Sequence, residues 1–238
     1  MVPGALLIES ALTLGLSLLS FFVSLKIFMR YREERHLTQI FLALTLLFFF
    51  LSYITEFVVD LYDIYLELTG EPLYGDLLED LRQAVTWASV ALVPVFGVLF
   101  ALEILQPRKK RVFQILDILV FVVFMALYYL FPHTSLVYEE YGMRVIEVNP
   151  SAQWSIACYL ISFLSLVPGL IFLVYSLVHA QGRERRRGLV LASGFFVISY
   201  FAFFSDVLLF PPAITLRRAF LFVGVALVYG ANRASIAP

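Results

Sequence analysis

The sequence is poor in the residues that most chemistry requires. Its 238 residues include one cysteine, Cys158, which excludes an intramolecular disulfide framework and a thiolate metal cage. The three histidines, His36, His133 and His179, are too dispersed to form a recognisable metal site. Charged residues make up 15% of the chain, where a soluble domain carries about 25%. The net charge of −1 leaves no electrostatic reason to expect nucleic acid as a partner. No serine–histidine pair stands at nucleophile spacing, and no carboxylate–histidine constellation converges. We therefore expect no enzyme, no catalytic residue and no cofactor.

What the chain has in abundance is oil. Hydrophobic residues reach 61%, mean hydropathy is +0.90, and the aromatics comprise 24 Phe, 13 Tyr and 2 Trp. A membrane-spanning helix needs about 20 mostly apolar residues, because unpaired backbone amides in lipid cost several kcal/mol each. Seven runs meet that length, over residues 5–29, 40–61, 84–105, 112–131, 154–180, 188–210 and 213–231. They leave nothing long enough for a separate soluble domain, so residues 1–238 read as one all-α membrane domain, a seven-transmembrane helix bundle. The first run lacks a basic start and a small-residue cleavage site, and is read as a retained helix.

Charge between the runs predicts orientation. Thirteen of the 17 basic residues, among them Arg30, Arg32, Arg35, Arg108, Arg111, Arg183, Arg185, Arg186, Arg187 and Arg233, fall on one side of the alternating pattern. The intervening connections are acidic, with Asp63, Glu67, Glu71, Asp76, Glu79 and Asp80 in one and Glu139, Glu140 and Glu147 in another. Positive charge resists translocation, so the pattern predicts a multi-pass cell-membrane protein with its N-terminus outside and its C-terminus cytoplasmic. Helix is expected to continue past the second run as far as Leu68 and to resume near Asp76. Residues 135–138 and 144–148 flank Gly142, which can supply a positive φ; they predict a short extracellular β-hairpin between helices 4 and 5. Pro94 and Pro168 interrupt two spans and predict kinks. Trp87, Trp154, Tyr128 and Tyr129 are placed as interface anchors.

Ionisable residues inside spans need a partner or water. They sort into an outer layer of Glu9, Glu56, Asp60, Asp206, Arg217 and Arg218 and an inner layer of Lys26, Glu103 and Asp117, whose two acids are expected to form local pairs with Lys26, Arg30 or Lys109. In the second span Tyr53, Glu56, Asp60, Asp63 and Glu67 recur at steps of three and four, on one helical face. Arg217 and Arg218 open the seventh span, and their directions diverge by about 100°, so one can face inward while the other snorkels. Two accounts fit this outer cluster. In one, ion pairs pin helices together. In the other, an outward-facing vestibule binds a ligand through Tyr53, Glu56, Asp60, Trp87, His133, Asp206, Arg217 and Arg218. Guanidinium forks suit carboxylate or phosphate ligands. His133 has a loop-capping reading as well.

Seven spans invite comparison with rhodopsins, which hold retinal on a lysine of the last span, but the lysines here are Lys26, Lys109 and Lys110, so no retinal is expected. The stretch from Arg82 through Pro94 to Glu103, with a mid-span proline and a Phe-Ala-Leu-Glu ending before a basic loop, resembles the third span of the seven-helix sensor region of prokaryotic histidine kinases. Phe131-Pro132-His133 followed by a hairpin resembles that family's fourth-span exit. The resemblance implies a sensor or receptor-like module. Members of the family continue into kinase or cyclase domains, whereas this sequence stops at Pro238, so the expectation is a stand-alone relative that signals through a separate cytoplasmic or membrane partner. A small-solute transporter or channel, or an accessory subunit of a membrane complex, are the alternatives.

Overall fold

The computed structural model describes residues 4–69, 76–105, 110–130, 134–140, 143–149, 152–204 and 214–233. Seven long helices run in chain order: α1 (Gly4–Glu34), α2 (Leu37–Thr69), α3 (Asp76–Leu105), α4 (Lys110–Leu130), α5 (Ala152–Val178), α6 (Gly182–Ser199) and α7 (Ile214–Arg233). Between α4 and α5, β1 (Thr134–Glu140) and β2 (Met143–Asn149) pair antiparallel, with Val137 opposite Ile146. The connection that contains Gly142 lies outside the described residues.

Six of the seven helices are long and apolar enough to cross a membrane: Leu7–Glu33, Leu37–Tyr62, Ala84–Leu105, Lys110–Leu130, Ile156–Val178 and Gly182–Phe203. The chain is therefore a multi-pass membrane protein by its helices. The expected seven spans are met by six among the described residues; α7 is outside that set, with Arg217 and Arg218 in its first turns ahead of the apolar run 219–231. The sixth span changes as well. Its α-helix begins at Gly182 inside the basic loop, ends at Ser199 and passes into a π-helical turn, Tyr200–Phe204.

Helix neighbours follow a ring: α1 on α2, α2 on α3, α3 on α5, α5 on α6, α6 on α7, and α7 back on α1. The fourth helix stands outside the ring against α3 and α5. Its buried residues are Asp117, Phe124 and Tyr128, with Phe121, Met125 and Leu127 packed partly against the core, and most of its other side chains are exposed. Chain direction gives the bundle two ends. Where α1 and α7 begin lies the carboxylate end, and where α1 and α7 finish lies the arginine end.

Small residues let the ring close. Ser10, Thr13, Ser17, Ser20 and Ser24 form a buried stripe along α1. The hydroxyls of Ser17 and Ser20 donate to carbonyls one turn back (2.9 Å each), and Ser24 donates across to Ala43 O on α2 (2.7 Å). Hydroxyls bonded in this way lose their polarity, and small side chains bring backbones close, which drives association where lipid offers no hydrophobic contrast. On α6 and α7, Gly194 and Gly224 face one another. A Cβ on Gly194 would lie 2.7 Å from Val228 Cγ2, and one on Gly224 would lie 2.8 Å from Ile198 Cγ1. The arginine half of the core is aromatic: Phe100, Phe172 and Phe195 are buried with ring centroids 5.7 to 6.2 Å apart. Arg35 ends α1 in the left-handed region (φ 57°), where its N–H donates to Tyr31 O (2.8 Å), a helix-terminating bond that usually recruits glycine.

Candidate functional site

The outer layer of charges converges on Arg218. This side chain is 8% exposed and points from α7 into the ring, where it donates to Glu56 Oε2 on α2. Glu9 Oε1 on α1 lies 3.9 Å away, and the guanidinium carbon sits 4.7 Å above the ring of Tyr53. One cation thus ties three helices together, and the flat guanidinium faces the negative face of an aromatic ring. Asp60, one turn beyond Glu56, hydrogen-bonds Ser10 on α1. Its Oδ2 is buried without a hydrogen-bond partner among the described residues, as are Nε and Nη1 of Arg218.

Beside this ion cluster is a cavity of about 200 Å³. The second helix contributes Phe49, Ser52, Tyr53 and Glu56 to its wall, and α3 contributes Thr86, Trp87, Val90 and Val93. Opposite stand Cys158, Ile161 and Ser162 of α5, and Ala202 and Phe203 of the π-turn; Arg217 of α7 completes the lining. The π-turn matters to this shape. An extra residue per turn leaves backbone carbonyls without their usual helical partners. Here Phe201 O accepts from Arg217 Nε (3.2 Å), and Phe203 O accepts from Ser162 Oγ (3.5 Å). The turn thus links α6 to α5 and α7 at the cavity wall.

A second, smaller void of about 10 Å³ lies next to the first and shares Phe49, Val93 and Phe203 with it. Pro94, Pro168, Ser165 and Ser199 line it. The prolines inside α3 and α5 therefore sit at one depth, immediately inward of the cavity. Ser199 Oγ donates to Ser165 O (2.5 Å), which ties α6 to α5 at that level.

Of the residues expected from sequence to form a vestibule, Tyr53, Glu56, Trp87 and Arg217 come together on the cavity wall. Arg218 and Asp60 belong to the adjoining ion cluster. His133 and Asp206 lie outside the described residues, as do the side chains of Asp63 and Glu67. The paired arginines diverge, but Arg217 does not snorkel: it is half-buried and bonded to the π-turn. Tyr128 is corrected from interface anchor to interior residue, since it is 2% exposed and packs between Phe124 and Trp87. Glu103 makes a local pair, but its partner is Lys110 Nζ (2.5 Å), next to the expected Lys109. Asp117 does not, because neither carboxylate oxygen has a hydrogen-bond partner among the described residues.

The apolar half of the wall and the π-turn were missed. Ser52, Ser162 and Cys158 are small or weakly polar residues on spans that are otherwise Phe, Leu and Val, and that thinning of bulk is the one trace of a cavity in the sequence. Among the described residues there is no cluster of three His, Cys, Asp or Glu side chains able to hold a metal ion. No protein-family model matches the chain, and no curated protein matches it in sequence.

Proposed function

We propose that this is a non-catalytic membrane sensor with seven spans, its carboxylate end and β-hairpin outside and its arginine end in the cytoplasm. A small ligand in the cavity shifts α7 and the π-turn, and the arginine-rich loops hand that shift to a separate partner. The cavity carries this reading, because its wall is shared by four ring helices and by the π-turn, and α7 enters it through a side chain bonded to that turn. A ligand that fits the cavity in one arrangement of these elements better than in another moves the equilibrium by that difference in affinity. Resemblance to histidine-kinase sensor regions supports the same reading and makes a signalling protein the natural partner class.

The test is a thermal-shift screen of small molecules on the purified protein, repeated on Ala202→Phe, which fills the cavity, and on Arg217→Ala, which frees the π-turn from α7. Hits should vanish in the first variant and weaken in the second. Hits that survive both unchanged exclude the cavity.

One observation favours a transporter as the second reading. The small void beneath the cavity lies behind a partition of Phe49, Val93 and Phe203, at the depth of both prolines. Uptake of a cavity ligand into proteoliposomes would establish it; binding without uptake would leave the sensor reading.

A further inference from the structure

Given that the cavity is a ligand site, as proposed above, its lining narrows what it accepts. Charge near the cavity invites an ionic ligand, but those charges are already engaged. Glu56 is paired with Arg218, and Arg217 donates to Phe201 O. The three hydroxyl residues of the wall are also bonded: Ser52 donates to Phe49 O (2.9 Å), Thr86 to Thr55 Oγ1 (2.8 Å) and Ser162 to Phe203 O (3.5 Å). Every polar residue on the wall therefore has a protein partner. The remaining nine of its fourteen residues are hydrophobic, four of them aromatic. A cation placed there would trade its hydration for a carboxylate already paired with Arg218, and an anion for a guanidinium already bonded to the π-turn, so a charged ligand carries a desolvation cost that a neutral one avoids.

Size restricts the ligand further. Drug-sized ligands fill roughly 300–1,000 Å³, whereas an apolar cavity of about 150 Å³ takes benzene. At about 200 Å³ this cavity suits one ring or two small fused rings. Hydrogen-bond polarity sets the last constraint. The hydroxyls of Ser52 and Ser162 both give their protons to backbone carbonyls, so what each offers a ligand is an oxygen lone pair. We infer that the cavity binds a neutral aromatic molecule of one or two rings that carries a single hydrogen-bond donor, as a phenol or an indole does.

The chain's one cysteine makes the test direct, because Cys158 lies on the cavity wall. Alkylation of Cys158 in the protein in nanodiscs is timed with indole, phenol, 1-methylindole, benzoate or benzylamine present, and melting temperatures are recorded for the same set. Only unoccupied protein reacts, so indole at about ten times its half-protecting concentration should slow alkylation about tenfold. Phenol should act likewise, 1-methylindole should need a higher concentration, and benzoate and benzylamine should do nothing. Protection should disappear in Ala202→Phe. If benzoate or benzylamine protects better than indole, the neutral-donor assignment is wrong while the ligand site stands. If no ring alters alkylation rate or melting temperature, both this inference and the cavity's role as a ligand site are overturned.

Discussion

The two halves of this bundle use opposite means to hold the same helices together. Toward the arginine end the ring is filled with rings of another kind, Phe100, Phe172 and Phe195, and its polar contacts are neutral or peripheral. Asn232 Nδ2 donates to Gln39 Oε1 (3.3 Å), joining α7 to α2, and Arg187 Nε donates to Ala231 O (3.0 Å), joining α6 to α7. Toward the carboxylate end the core is hollow, and one buried guanidinium does the joining. A close-packed half transmits displacement because it cannot absorb it, while a hollow half can change shape at small cost. Under the proposed sensor reading, reception belongs to the hollow half and rigid transmission to the packed one.

That contrast can be broken most severely at Arg218. Arg218→Ala leaves the largely buried Glu9 and the half-buried Glu56 without their shared counter-charge, and unfolding in detergent should show a loss of about 3–5 kcal/mol. A double change with Glu56→Leu should recover part of it, since an apolar pair carries no stranded charge. If Arg218→Ala melts like the parent, the ion cluster does not hold the hollow half together.

Next comes the packed half. Phe172→Ala removes a fully buried ring and should destabilise by about 3–4 kcal/mol, while cavity-dependent protection of Cys158 is retained in the folded fraction. Loss of that protection would mean that the halves are not separable. A milder test lies at the seam of α2 and α3. Thr86→Val removes the bond to Thr55 and should lower stability by about 1 kcal/mol in the same unfolding assay. It should also alter ligand response, because Thr86 is on the cavity wall. The smallest effect belongs to Arg185→Ala, an exposed residue of the basic loop, which should change stability by less than about 0.5 kcal/mol. Under the proposed topology it should weaken partner response instead, read by co-purification or reporter output.

Helices were legible because lipid demands long apolar runs whatever their neighbours are. The same demand made Glu56, Asp60 and Arg218 conspicuous, and the three-and-four spacing put the α2 carboxylates on one face before any partner was known. Asp117 was conspicuous for the same reason, yet the pairing expected of it fails, because sequence reports that a charge exists and not which helix turns toward it. Tyr128 failed differently. Position near a helix end suggested an interface, and only the placement of α4 against α3 decided that the residue faces inward.

Local composition thus set where the long apolar helices run and how positive and negative connections alternate along the chain, since each of these depends on residues close in sequence. Tertiary structure alone decided that six helices close a ring and leave α4 outside, that α6 ends in a π-turn, and that Arg218 rather than Arg217 is the buried cation. Those outcomes depend on which side chains from distant segments fill, or fail to fill, one volume. A cavity is the space left between residues far apart in sequence, and no single segment encodes it.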